Sequence, residues 1–155
     1  MAWLRGFEPV DPDKRKYYGC EPLCPTRATK GSACYDVFSP VNTTLDVGES
    51  QLIWLNVKAY MLPDEVLKVF TRSSMGKVGV TLANDVGIID CDYYGNEKND
   101  GNIGLMLTNN GDEIYFIDEC QAIGQVMFQK ILFADNDIVK SEVREGGFGS
   151  TDENN

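Results

Sequence analysis

Asn102-Ile103-Gly104-Leu105-Met106-Leu107-Thr108-Asn109-Asn110-Gly111-Asp112-Glu113-Ile114-Tyr115-Phe116-Ile117 reads as two short strands around a turn. Ile103, Leu105 and Leu107 recur at every second position, and Ile114 and Phe116 resume the alternation after Asn109-Asn110-Gly111. A period of two puts alternate side chains on one face, and Asn-Gly supplies the backbone freedom of a tight turn. The expectation is a half-buried β-hairpin over 102–117.

The same signature extends to both sides. Residues 51–62 are apolar and β-branched and read as a strand with one buried face. Further strands are expected over 66–70, over 123–133, and over 1–10, where Trp3 and Phe7 are among the apolar residues. Residues 11–30 are charged, then rich in Pro and Cys, and read as loop. Helical character is confined to a short stretch around 63–67. Short strands at this spacing, punctuated by Gly, Asn and Asp, predict an all-β sandwich or barrel. A chain of 155 residues with 43% hydrophobic residues is one domain with a real core. The expected boundary sets a barrel domain over 1–143 apart from a C-terminal arm over 144–155. In that arm Gly146, Gly147 and Gly149 surround Phe148, too little for a stable strand or helix alone. The arm is either a disordered tail or a flap that orders over a flat ring.

Composition narrows the chemistry. A net charge of −10 argues against binding of DNA or RNA as polyanions, while local Arg, Ser and backbone donors can still hold a small phosphorylated ligand beside a metal. There is no histidine, which removes Ser-His and Cys-His catalysis and most His-containing zinc sites. A general base is therefore a carboxylate, and an oxygen-bound metal a hard one such as Mg²⁺ or Mn²⁺. Five cysteines, no signal peptide and no long apolar span point to a reducing intracellular compartment, the cytoplasm, and to no membrane association. Cys20 and Cys24 form a C-x3-C pair on a Pro-rich loop. Free thiols are the expectation, with a zinc knuckle as the alternative.

The strongest chemical signal is Gly87-Ile88-Ile89-Asp90-Cys91-Asp92-Tyr93-Tyr94-Gly95. An apolar strand or hairpin arm over 86–89 runs into two carboxylates and two tyrosines. Such a strand end holds a carboxylate beside an aromatic wall, as a water-activating base in a nucleotide pocket requires. Asn84 and the backbone near Gly87 offer donors and acceptors to a base edge. The plainer reading is a strand end with solvated acids.

Other motifs stand in order around it. They are Ala28-Thr29-Lys30-Gly31-Ser32-Ala33-Cys34-Tyr35-Asp36, then Arg72-Ser73-Ser74-Met75-Gly76, then Gly124-Gln125-x-x-x-Gln129, and last Arg144-x-Gly146-Gly147-Phe148-Gly149-Ser150-Thr151. Together the five segments resemble the homotrimeric dUTP pyrophosphatase (dUTPase) family over nearly the whole chain from Pro25 to Thr151. The resemblance implies a jelly-roll-like or β-clip subunit with a flexible Gly-rich arm, and a homotrimer with shared sites. It implies Mg²⁺-dependent hydrolysis of dUTP to dUMP and pyrophosphate, which keeps uracil out of DNA and supplies dUMP for thymidylate synthesis. Asp90 would then activate the water that attacks the α-phosphate, and Asp36 would hold the metal through water. Arg72, Ser73 and Ser74 would contact phosphates, with Gln129 helping to hold the triphosphate. Asn84, Gly87 and Ile89 would read uracil, and Tyr93 would pack on deoxyribose. Arg144, Gly149, Ser150 and Thr151 would reach the terminal phosphate, under Phe148 as a lid on the base.

Four positions depart from the family pattern. Cys34 and Asp152 stand where glycine is usual, Val126 where arginine is frequent, and Arg144 is one residue closer to the Gly-Gly pair. Two rival readings remain. The related dCTP deaminases share Arg-Ser-Ser but use a glutamate and lack the Ile-Asp-x-Asp-Tyr block. A dUTP-sensing regulatory binding protein would keep the pocket without turnover.

Overall fold

With little helix to satisfy its main chain internally, this sequence must pair backbone N–H and C=O groups between strands. The computed structural model describes residues 3–140, and there the chain forms β1 (Gly6–Pro9), β2 (Tyr35–Phe38), β3 (Thr43–Leu45), β4 (Ser50–Trp54), β5 (Val57–Tyr60), β6 (Glu65–Phe70), β7 (Val80–Leu82), β8 (Gly87–Asp90), β9 (Gly104–Asn109), β10 (Tyr115–Ile117) and β11 (Ala122–Lys130). A single turn of α-helix, α1 (Ser73–Gly76), follows β6, and 3-10 turns occupy Pro12–Lys14 and Cys91–Tyr93. Every strand pairing is antiparallel. The strands form a four-stranded sheet in the order β2-β11-β6-β8, a three-stranded sheet β4-β9-β7, and the pairs β1-β5 and β10-β3. This is the all-β, jelly-roll-like architecture expected. No helix among the described residues is long and apolar enough to cross a membrane.

One apolar core joins these sheets. Val37, Ile53, Leu67, Val80, Leu105, Leu107 and Ile123 are all buried within it. The alternation of β9 is realised in burial, with Leu105, Leu107 and Asn109 inward and their neighbours half-exposed. Gly124 sits where β11 crosses the core, and a Cβ there would lie 2.5 Å from Leu105 Cδ2. The strand is also irregular between Ala122 and Gly124, which lets it pair with β2 on one side and β6 on the other.

Several expectations about pairing need correction. The 102–117 segment is not a hairpin, because β9 lies between β4 and β7 while β10 pairs with β3. Asn109 is the physical reason. Its fully buried amide donates to Leu45 O at 3.0 Å and Glu113 O at 2.8 Å, and its Oδ1 accepts the Gly111 N–H. The side chain props residues 109–113 into a broad loop that sends β10 to another sheet. Residues 51–62 are likewise two strands, broken at Asn56, whose φ of 57° is left-handed. The first strand is only Gly6–Pro9, leaving Trp3 86% exposed. Residues 63–67 turn and enter β6, and the helical turn lies instead at Ser73–Gly76. β8 is an arm of the sheet as expected, but it pairs with β6, while β7 before it joins the other sheet, so no tight hairpin precedes Gly87. The last strand stops at Lys130, short of 133.

Candidate active site

Asp36, Gln125 and Phe70 lie side by side, because β11 pairs Gln125 with Asp36 of β2 on one edge and with Phe70 of β6 on the other. Asp36 is also bridged through both main-chain groups to Thr26, which folds residues 28–34 over the sheet end. Two residues beyond Phe70, Arg72 leaves the strand in an extended conformation and begins α1, so Ser73 and Ser74 form its first turn. Carbonyl 72 accepts the N–H groups of Met75 and Gly76, and buried Met75 pins the turn to the core. The result is an open cleft of about 470 Å³ with Asp36, Arg72, Ser73, Ser74 and Gln125 in its wall, closed on one side by Cys34 and its neighbours.

Arg72 Nε lies 3.1 Å from Asp36 Oδ1, with both side chains partly open to solvent. Gln125 Nε2 donates to Thr71 O at 3.1 Å, which holds the amide at the cleft. A guanidinium, two hydroxyls and an amide converging here form a donor set for phosphate oxygens. Burial first, and then the Asp36 charge, pushes the Cys34 thiol up. Burial and then Asp92 and Asp90 do the same for Cys91. Both are protonated and poorly nucleophilic at neutral pH, and all five cysteines are free thiols. Among the described residues no three His, Cys, Asp or Glu side chains gather in a metal-binding cluster. A lone carboxylate beside a phosphate cleft fits a hard divalent ion held through water and phosphate oxygens, not one caged by protein.

The Asp90 corner is elsewhere. Asp90 ends β8 opposite Val66 and starts the 3-10 turn Cys91–Tyr93. Val66 and Arg72 lie toward opposite ends of β6, so strand rise separates Asp90 from Arg72 by about 20 Å. β8 is the outer strand of its sheet, and half of its main-chain groups face away from β6, available to a base edge. Gly87 permits the pairing, since a Cβ there would lie 2.9 Å from Val69 Cβ. Asn84 is exposed in the turn before β8, Ile89 is half-buried, and Tyr93 is 4% exposed with its hydroxyl donating to Asn102 O at 2.7 Å. Behind the corner, Arg5 grips buried Glu65 with contacts of 2.6, 2.9 and 3.1 Å.

One chain thus brings together Asp36, Arg72, Ser73 and Ser74, and separately Gly87, Ile89, Asp90 and Tyr93. Gln129 lies away from the cleft, at the Asp90 end of β6. It is exposed near the end of β11, across Val66 from Asp90 and four residues from the cleft. Gln125 lines the cleft instead. Arg144, Phe148, Gly149, Ser150 and Thr151, with the arm over 144–155, lie outside the described residues.

Known proteins share this chain's sequence and architecture. Residues 22–152 match the sequence profile of the dUTPase family. The deoxyuridine 5'-triphosphate nucleotidohydrolase of Lactococcus lactis is 40% identical over 150 residues, covering 96% of this chain and 97% of that protein. The Vaccinia virus protein of the same name is 33% identical over 131 residues, covering 82% and 84%. The crystal structure of dUTPase from Streptococcus mutans superposes with a TM-score of 0.75 at 36% identity, covering 84% of this chain and 99% of that one.

Proposed function

The chain belongs to the dUTPase family, and from that membership we propose that it hydrolyses dUTP to dUMP and pyrophosphate at sites shared between copies of a homotrimer. The observation that carries the shared site is the division of the functional residues into two groups at opposite ends of β6. A phosphate cleft without Asp90, and Asp90 without a phosphate cleft, complete each other across a subunit boundary. The surface supports such assembly. Beyond β11 the chain exposes Leu132, Phe133, Ile138 and Val139, and the outer strand exposes Ile88. Apolar surface of this extent is what a second copy covers.

In the proposed reaction Arg72, Ser73, Ser74 and Gln125 of one copy hold the triphosphate, and Gln129, level with Asp90 on β11, helps to hold it at the other end of β6. Asp90 of another copy accepts a proton from water as its oxygen attacks the α-phosphorus. The bond from that phosphorus to the bridging oxygen breaks, and pyrophosphate leaves. Asp36 would hold Mg²⁺ through water, and the ion, when bound, offsets the negative charge of the phosphates. Main-chain groups of β8 at Gly87 and Ile89, with Asn84, read the uracil edge. Cytosine presents an amino donor where uracil has a carbonyl, so a fixed donor there would be left opposed.

Pyrophosphate release by the purified protein with Mg²⁺, compared across dUTP, dCTP, dTTP and UTP, tests the reading. Release should be selective for dUTP, and Asp90→Asn should lower turnover by roughly 10²–10⁴-fold, the scale of a lost general base. Equal release from dCTP, or normal turnover in the variant, would overturn it.

A further inference from the structure

A tyrosine that merely fills space needs one partner for its hydroxyl. Among the described residues the Tyr93 hydroxyl meets two, and both come from the loop that follows it. Its Oη donates to Asn102 O at 2.7 Å, and Asn99 Nδ2 donates to that same Oη at 2.8 Å. Its main-chain carbonyl accepts Asn96 Nδ2 at 2.7 Å. The two ends of the residue are thus held by three asparagines.

The loop is itself braced. Asn96 Nδ2 also reaches Asn99 Oδ1 at 2.8 Å, and Asn96 Oδ1 accepts the N–H groups of Lys98 and Asn99. Asn99 Oδ1 accepts the Gly101 N–H at 3.1 Å. Gly101, at φ 86°, passes so close to Tyr93 that a Cβ would lie 2.9 Å from its carbonyl oxygen. Asn102 is fully buried, and its Oδ1 accepts the Asn56 N–H at 2.9 Å. Asn56 in turn holds Tyr17 O and the Lys16 N–H. Asp100 is clamped by Lys58 at 2.7 Å and by the Asp11 N–H. Both partners of the Tyr93 hydroxyl are thus fixed by this scaffold, so the ring retreats only by breaking its bonds to them.

We infer that Asn99, backed by Asn96 and Asn102, is a positioning residue that sets sugar specificity by denying Tyr93 the freedom to withdraw from a ribose 2′-hydroxyl. The inference rests on the reading of Tyr93 as the wall against deoxyribose and adds what makes that wall rigid. A ring free to retreat by a fraction of an ångström admits ribose. A ring held by two hydrogen bonds must break them to do so.

The experiment measures kcat/KM for dUTP and for UTP in the intact protein and in single variants. Asn99→Ala should lower the dUTP-to-UTP ratio by about tenfold, the scale of one lost hydrogen bond, mainly through a lower KM for UTP. Asn99→Asp keeps the acceptor for Gly101 and replaces the N–H toward Tyr93 with a carboxylate oxygen, which competes with Asn102 O for the single hydroxyl proton. It should lower the ratio similarly while its thermal unfolding stays near that of the parent, which separates the hydroxyl contact from folding of the loop. Tyr93→Phe removes both hydroxyl contacts and should lower the ratio at least as far, and adding Asn99→Asp to it should change the ratio no further, since the hydroxyl that Asn99 holds is already gone. An unchanged ratio in Asn99→Asp, with Tyr93→Ala lowering it, overturns the positioning role alone. An unchanged ratio in Tyr93→Ala overturns the sugar wall, and the inference with it.

Discussion

Glu65 is a carboxylate with 4% of its surface exposed, stable there only because Arg5 grips it and the Leu62 N–H adds a further bond. The Arg5 hydrogen bond is the leading cause that holds its pKa below the ordinary glutamate range, against the opposing effect of burial. A depressed folded value contributes stability that is fully present above the ordinary range and is lost as pH falls through the folded value. Arg5→Ala removes the leading cause and leaves burial, which raises the pKa. The variant should therefore melt below the parent near neutrality, with the Tm gap narrowing as pH falls into the acid range. Thermal unfolding across pH checks this, and a gap that does not change with pH would remove the pair from that role. The partners are 60 residues apart in sequence, so nothing local announces the pair. Asp36, Arg72, Ser73 and Asp90 were legible because each sits in a compact motif. That Gln125 lines the cleft was not legible, for a definable reason. Residues 125 and 129 are both odd positions of one strand and share its face, so alternation cannot choose between them. Only pairing with Asp36 and Phe70 places 125 at the cleft.

Strands are local, and their partners are not. Short apolar runs located β6, β8 and β11 to within a few residues, and the period of two located β9, because a half-buried strand must alternate whichever neighbour it has. It assigned β9 and β10 to each other because a turn signal stood between them, whereas the decision belongs to buried Asn109 and its bonds to Leu45 and Glu113. Asn56 was equally silent in sequence, a polar residue that ends one strand by adopting positive φ and anchoring a loop. The short α1 was hidden inside a motif read for its side chains. Gly124 shows how much a strand's path depends on a missing atom. Its replacement by alanine would press on Leu105 and on the carbonyl of Phe70. Gly124→Ala should cost about 1–3 kcal/mol, the scale of overpacking. Denaturant midpoints measure it, and an unchanged midpoint would mean that β11 shifts freely.

The whole molecule poses a question of distance. Asp90 and Arg72 stand about 20 Å apart on one chain by strand rise, too far to share one nucleotide's reacting phosphate. If the two half-sites meet across a subunit boundary, Asp90→Asn and Arg72→Ala abolish activity through different copies. Each variant alone should be nearly inactive. Mixed and allowed to exchange subunits, they should recover a fraction of parental turnover, because some sites then combine an intact Asp90 with an intact Arg72. Sedimentation should show a trimer in all three samples. Exchange proven by labelled subunits, with no recovered activity, would place both residues in a site within one chain.

The outer position of β8 carries one more consequence. A strand edge bordered by Val86, at 39% exposure, and Ile88, at 54%, is a template onto which any extended chain can add. Natural edges resist this with charge, and here the charge comes from Asp90 and Asp92 at the end of the strand. The carboxylate proposed to activate water therefore stands where a gatekeeper charge stands at natural sheet edges. A subunit newly released from the ribosome would rely on it before any partner arrives. If Asp90 has both roles, Asp90→Asn should lose turnover and also be the more prone to fibrillar association at high concentration.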